Sequence, residues 1–303
     1  MKPAGYLRKA LKYFISLTWR KIYWPDGAML FMKSSLKSVL ALHKKYHFSH
    51  VISVGLPFSC HLVARHLKQQ DDNIYWLMDI EDPFSYSKEF RVNNFSRYYR
   101  KNILEEERAF DLADDITLTN KNALDRYAEL FPFCQNKLHV IPPLFSKPES
   151  EQAIKYDFER DKIHLAYFGS FYENVRSPES FLNFINMMKD IYPDFISKCR
   201  FHFFGDHSRF SLDLFHRYSH LRKQIKIQGF LSPPQMHHVV RQMHVLLNFG
   251  NLTDYHLPSK ILDFAYFRKA VIHFTYKAED PAVSFLKAFN LEELVIPADR
   301  QLD

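Results

Sequence analysis

Short apolar runs rich in β-branched and aromatic residues alternate with amphipathic stretches along most of this chain, and the alternation restarts once. Residues 50–54, 74–78, 115–119 and 137–141 read as strands, with helical patterns at 59–68, 95–112 and 121–131 between them. The doublet Pro142-Pro143 closes this series, because proline has no N–H for a ladder and restricts the residue before it. Residues 146–161 are polar, mixed in charge, and read as a linker. The pattern then resumes, with strands at 163–168, 200–204, 225–228, 244–248 and 270–274 and helices at 178–191, 209–221, 233–242 and 259–267. Strands joined through helices form parallel sheets with right-handed crossovers. The expected class is α/β, with two Rossmann-like doubly wound domains facing a cleft, at 1–145 and 162–303. Two basic helical patterns, 6–23 and 29–46, precede the first strand, and the chain stops soon after Val295-Ile296. The first domain is therefore expected to be short or incomplete.

Composition narrows the function classes. With 303 residues, 47% hydrophobic and 16% aromatic, the chain is globular and long enough for two ordinary domains. Cys60, Cys134 and Cys199 are odd in number and far apart, match no zinc or disulfide spacing, and favour a reducing, cytoplasmic compartment. No apolar run is long enough to span a bilayer, and the first 24 residues show no clean leader pattern. A formal charge of +7 attracts nucleic acid, anionic lipid or phosphorylated substrates without choosing among them.

Ligands in doubly wound sheets bind beyond the carboxyl ends of the strands. The loops at Gly169, at Gly205 and before Pro258 fall at that edge. A helix opening at Pro258 would point N–H groups and the positive end of its dipole at a phosphate. Ser259 and Lys260 would add a hydroxyl and a charge there, and Asp263, one turn on, suits ribose hydroxyls. A buried amphipathic helix that happens to start with proline reads equally well from this segment alone. The pair His237-His238 has no third ligand at metal spacing and reads as surface.

In order along the chain stand Gly169-Ser-Phe-Tyr-Glu-Asn-Val-Arg-Ser-Pro178, Phe203-Phe-Gly-Asp206, Gln228-Gly-Phe-Leu-Ser232 and Leu257-Pro-Ser-Lys-Ile-Leu-Asp263. The first half adds Trp76-Leu-Met-Asp-Ile-Glu-Asp-Pro-Phe84 and the run from Glu107 to Thr119. Together, over roughly residues 48 to 275, these segments resemble a GT-B glycosyltransferase of the retaining, family-four type used in bacterial surface polysaccharide assembly. The resemblance implies a nucleotide-sugar donor, a saccharide or lipid-linked acceptor, no cofactor and no required metal. It assigns Arg176 and Lys260 to the departing diphosphate, with Gly169, Ser170, Gly205, Asp206, Ser259 and Asp263 around the donor. On the acceptor side it implies Asp79 and Asp82, and a histidine in the setting of His61. Two positions depart from the family pattern: Tyr255 stands where a glutamate contacts the transferred sugar, and Glu81 where arginine is common.

Other readings stay open at this level. Asp82 caps a turn at Pro83 as readily as it faces an acceptor, and Asp79, Glu81 and Asp82 also resemble a D-x-D metal site. The basic helix at 6–23, with Trp19, Tyr23 and Trp24, suits a domain surface or, peripherally, the inner face of a membrane. Non-catalytic sugar-nucleotide binding and epimerisation share the fold. A nucleic-acid partner is not expected, since no such motif is present and the positive charge is interspersed with acids.

Overall fold

A computed structural model describes residues 21–89, 92–144, 156, 158–291 and 294–297. The chain divides at Pro142 and Pro143 into two compact units. Most of the expected 6–23 helix, including Trp19, and most of the expected linker lie outside the described residues.

The first unit contains α1 (Met29–Tyr46), β1 (His50–Gly55), α2 (Ser59–Gln70), β2 (Tyr75–Ile80), α3 (Phe95–Leu112), β3 (Asp115–Leu118), α4 (Lys121–Leu130) and β4 (Leu138–Val140). Its strands pair in parallel in the order β1-β2-β3-β4. The described strand order never reverses, so these strands form one wing of a doubly wound pattern. Strand alternation then divides the faces. Trp76, Met78, Ile116 and Leu118 are buried on one face, while Ile52, Val54 and Tyr75 on the other are exposed.

Asp26 fixes how this unit starts. Its carboxylate accepts hydrogen bonds from the Ser59 amide (2.7 Å), the Ser59 hydroxyl (2.9 Å) and the Ala28 amide (2.8 Å). It thereby caps α2 from outside the helix, where orphan N–H groups and the dipole favour an anion. Asp26→Ala is expected to cost about 2 kcal/mol, the scale of a lost charged cap. The urea midpoint reads this; an unchanged midpoint would deny Asp26 that role.

The second unit contains β5 (Ile163–Phe168), α5 (Glu179–Ile191), α6 (Pro193–Lys198), β6 (Cys199–Phe204), α7 (Arg209–Arg217), β7 (Ile225–Gln228), α8 (Pro233–Gln242), β8 (Val245–Phe249), α9 (Ile261–Phe267), β9 (Ala270–Thr275), α10 (Pro281–Ala288) and β10 (Leu294–Pro297). All six strands are parallel, in the order β7-β6-β5-β8-β9-β10. The order reverses between β5 and β8, which makes a topological switch point. Side chains alternate between two cores. Leu165, Tyr167, Phe201, Phe203 and Phe249 meet α5, α6 and α7 on one face. Ala166, Phe168, Phe204 and Leu246 meet α8, α9 and α10 on the other. The near-continuous apolar strands follow, because a sheet covered on both faces has no polar side.

Candidate donor site at the switch point

Two glycine loops close against each other at the carboxyl ends of β5 and β6. The Gly169 amide donates to the Phe204 carbonyl at 2.9 Å. Gly205 has φ +151°, and a Cβ there would lie 2.3 Å from the Gly169 carbonyl oxygen. Only glycine permits both that dihedral and that approach. Around these loops lies a depression of about 150 Å³ lined by Gly169, Ser170, Gly205, Asp206, Phe230, Leu231 and Lys260, among others. Five of the expected donor-side residues therefore share one surface. Phe230 and Leu231 come from the Gly-Phe-Leu-Ser loop that precedes α8.

Arg176 does not line that depression; it is held nearby, on the β8 side. Its Nε and Nη2 donate to Asn251 Oδ1 (3.1 and 2.7 Å), and its Nη1 donates to the Tyr167 hydroxyl (2.8 Å). Three of the five N–H donors of a guanidinium are thus used for orientation. Asn251 Nδ2 donates in turn to the His256 carbonyl (3.0 Å), inside the loop that ends at Lys260. His256 is buried beside Thr253 Oγ1, at 2.6 Å from Nδ1. Burial, and secondarily the charge of Arg176, push its imidazole down to about 3, so it is neutral at physiological pH. Tyr167 and Asn251 carry no local sequence signal as partners of Arg176, since they lie 9 and 75 residues from it.

The Pro258 segment departs from expectation. The helix starts at Ile261, not at Pro258, with Lys260 at its N-cap, and it is 7 residues long. Pro258, Ser259 and Lys260 form the preceding turn, in which the Ile261 and Leu262 amides donate back to the Pro258 and Ser259 carbonyls. Asp263 is also tied inward. His237 Nε2 lies 3.1 Å from its Oδ1, and Lys260 Nζ lies 3.6 Å from its Oδ2. His237 is buried, which corrects its reading as a surface residue. Its partner was missed because the two lie on different helices, 26 residues apart.

In the first unit His61 and Asp79 stand on opposite faces of the four-stranded sheet. His61 is buried, with Nδ1 2.7 Å from Ser53 Oγ, which also accepts from Trp76 Nε1 at 2.8 Å. Burial pushes its imidazole down to about 3. Asp79 accepts from Thr117 Oγ1 at 2.5 Å, and the register pairs it with Val54. It therefore lies on the sheet face opposite Ser53 and His61. Burial, then the neighbouring charge of Glu81, push Asp82 up to about 6. Among the described residues no three His, Cys, Asp or Glu side chains are grouped to hold a metal.

No family model and no curated protein matches this chain. Solved structures do. An E. coli trehalose-6-phosphate protein bound with UDP-2-fluoro glucose is similar at TM-score 0.63 and 11% identity, over 91% of this chain and 67% of that one. An apo structure of OtsA is similar at TM-score 0.60 and 10% identity, over 89% of this chain and 67% of that one. Anabaena Alr3699/HepE in complex with UDP gives 0.52 and 11%, over 79% of this chain and 62% of that one. This chain thus spans about two thirds of the length of these proteins. With two parallel-sheet α/β units of 4 and 6 strands, the fold is GT-B.

Proposed function

We propose that the chain is a glycosyltransferase that moves a sugar from a nucleotide-diphosphate donor to a hydroxyl of a saccharide or lipid-linked saccharide. The carrying observation is the shared depression of Gly169, Ser170, Gly205, Asp206 and Lys260 at the switch-point end of the six-stranded sheet. The diphosphate sits against the glycine loops, where no side chain blocks the backbone. Lys260 and Arg176 stabilise the charge that grows on the leaving phosphate as the anomeric C–O bond breaks. The acceptor oxygen forms the new bond on the same face, and the departing phosphate takes its proton, so no protein nucleophile is needed. Retention, the polysaccharide setting and a metal-free reaction belong to this proposal. Asp263, held by His237 and Lys260, has one edge for a ribose only if that contact rearranges.

A panel of nucleoside diphosphates in a thermal-shift assay tests the reading. A ligand at a hundred times its Kd stabilises the native state by about 2.7 kcal/mol. One base is expected to raise Tm clearly above the others, and the corresponding sugar nucleotide to release its diphosphate with acceptor present. No shift from any diphosphate would remove the donor site. Binding without turnover would instead favour a non-catalytic sugar-nucleotide binder. Tyr255 supports that second reading, since it replaces an acid and packs on His256 with ring centroids 4.2 Å apart.

A further inference from the structure

The donor depression has two kinds of wall. The cations assigned to the diphosphate, Arg176 and Lys260, follow β5 and β8. The wall that follows β6 and β7 carries Asp206, Phe230 and Leu231, one acid and two apolar side chains. An acid repels a phosphate, whereas an apolar surface with one acceptor suits the ring and N–H groups of a nucleoside. Phe230 is 70% exposed, so its ring has a face free for such a partner. This assignment of the second wall rests on the donor reading above.

One side chain joins the two strand ends behind that wall. His207 Nε2 lies 2.7 Å from the Gln228 carbonyl oxygen and 3.2 Å from the Phe203 carbonyl oxygen. Both partners only accept, so Nε2 carries the proton and shares it between them. The ring stands edge-on to Phe215, with centroids 6.3 Å apart. Ser208, the next residue, donates to the Phe171 carbonyl at 3.2 Å, so the loop after β6 is anchored to the loop after β5 as well. Across from it, the strand ladder ends at the Phe204–Gln228 pair. Gly229, Phe230 and Leu231 then cross to Ser232, whose amide donates to Gln235 Oε1 at 3.0 Å. His207 therefore holds the near end of the span that carries Phe230. Its Nδ1 is buried with no hydrogen-bonding partner among the described residues. Stability alone would favour a side chain without that unmet acceptor, whereas a rigid ring fixed through Nε2 keeps the Gln228 carbonyl in one place. We propose that His207 is a positioning residue for the nucleoside: it fixes the end of β7 and so sets how Phe230 stands against Asp206.

Isothermal titration of the full chain with UDP, GDP, ADP and inorganic pyrophosphate reads this role. His207→Phe keeps a ring and removes the N–H. It is expected to weaken the best-bound nucleoside diphosphate about tenfold, the upper range for one neutral hydrogen bond, and to leave pyrophosphate within about twofold of the parent chain. The preference among the bases should narrow. With the matching sugar nucleotide, donor KM should rise while kcat changes by less than about twofold. His207→Gln brings amide N–H groups within reach of the same carbonyls and should recover most of the affinity. His207→Asn, too short for Gln228, should not, and this pair carries the test if the Phe variant does not fold. A histidine that only stabilises the fold would lower the melting temperature but leave the ratio of nucleoside diphosphate to pyrophosphate affinity unchanged; that result would overturn the proposal. So would parent affinities in both His207→Phe and His207→Asn. If the parent chain binds none of the nucleoside diphosphates, the donor reading itself falls, and this role for His207 falls with it.

Discussion

Arg176→Ala is expected to lower donor affinity or turnover by roughly 10- to 150-fold, the range set by about 1.5–3 kcal/mol for a charged hydrogen bond. The guanidinium is pre-oriented by Asn251 Oδ1 and the Tyr167 hydroxyl, so little rotamer entropy remains to be lost when a diphosphate arrives. Two further variants distinguish charge from placement. Arg176→Lys keeps the charge but cannot reproduce the planar fork, and it should recover only part of the loss. Tyr167→Phe keeps Arg176 and removes one of its three contacts, so it should cost severalfold, on the order of a single neutral hydrogen bond. Isothermal titration with the diphosphate that shifts Tm, beside steady-state rates, reads both. If Arg176→Ala binds donor and turns over like the parent chain, Arg176 has no part in the reaction.

Much of this architecture was legible because local patterns carry it. The helices at 29–46 and 95–112 and the strand at 163–168 stand where periodicity and apolar runs place them. The helix expected over 209–221 ends at Arg217, and a separate 3-10 turn follows at Ser219–Leu221. Two short helices went unread, although one carried its signal: Asp280 caps α10 and Pro281 opens it, a start pattern visible in the residues themselves. The glycine loops were readable as well, since seven glycines in 303 residues leave few places for close backbone contact. Side-chain networks were not. Nothing near Arg176 in sequence points to Asn251, 75 residues away, and nothing near Asp263 points to His237. Such contacts depend on which strand ends and helix faces the topology brings together, and single-sequence periodicity does not encode that. The acidic run on α3 shows both cases. The sequence reading began its motif at Glu107, which is exposed, whereas Glu106 shares the inward face with Asn102, Ala109 and Phe110. That face follows from spacings of three and four, but its partners Ser85 and Tyr127 do not.

Glu106→Gln is expected to remove a loss of stability of about 3 kcal/mol between pH 4.5 and 8, estimated at roughly 1.4 kcal/mol per pKa unit. Glu106 is fully buried, accepting from the Tyr127 hydroxyl at 2.7 Å and from the Ser85 amide at 3.2 Å. Burial raises its carboxyl from an ordinary 4.5 to about 7, even though these hydrogen bonds favour the charged form. The folded value lies above the unfolded one, so the folded chain holds the extra proton between them. The stability this gives is complete below pH 4.5 and is lost as pH rises through 7. Asp82, raised to about 6, acts with the same sign over a lower window. His61 and His256, held down to about 3, act oppositely: the unfolded chain takes the extra proton, and stability falls as pH drops below 6.5. These terms partly cancel in the parent chain, so the difference between parent and Glu106→Gln isolates Glu106. Urea unfolding at pH 5 and pH 8 should show the variant close to the parent, or slightly weaker, at the lower pH and clearly more stable at the higher. Parallel pH curves for the two proteins would mean that Glu106 does not change its protonation on folding. Ser85 follows the Asp79–Asp82 segment, so a carboxylate formed at Glu106 accepts from the backbone of that loop.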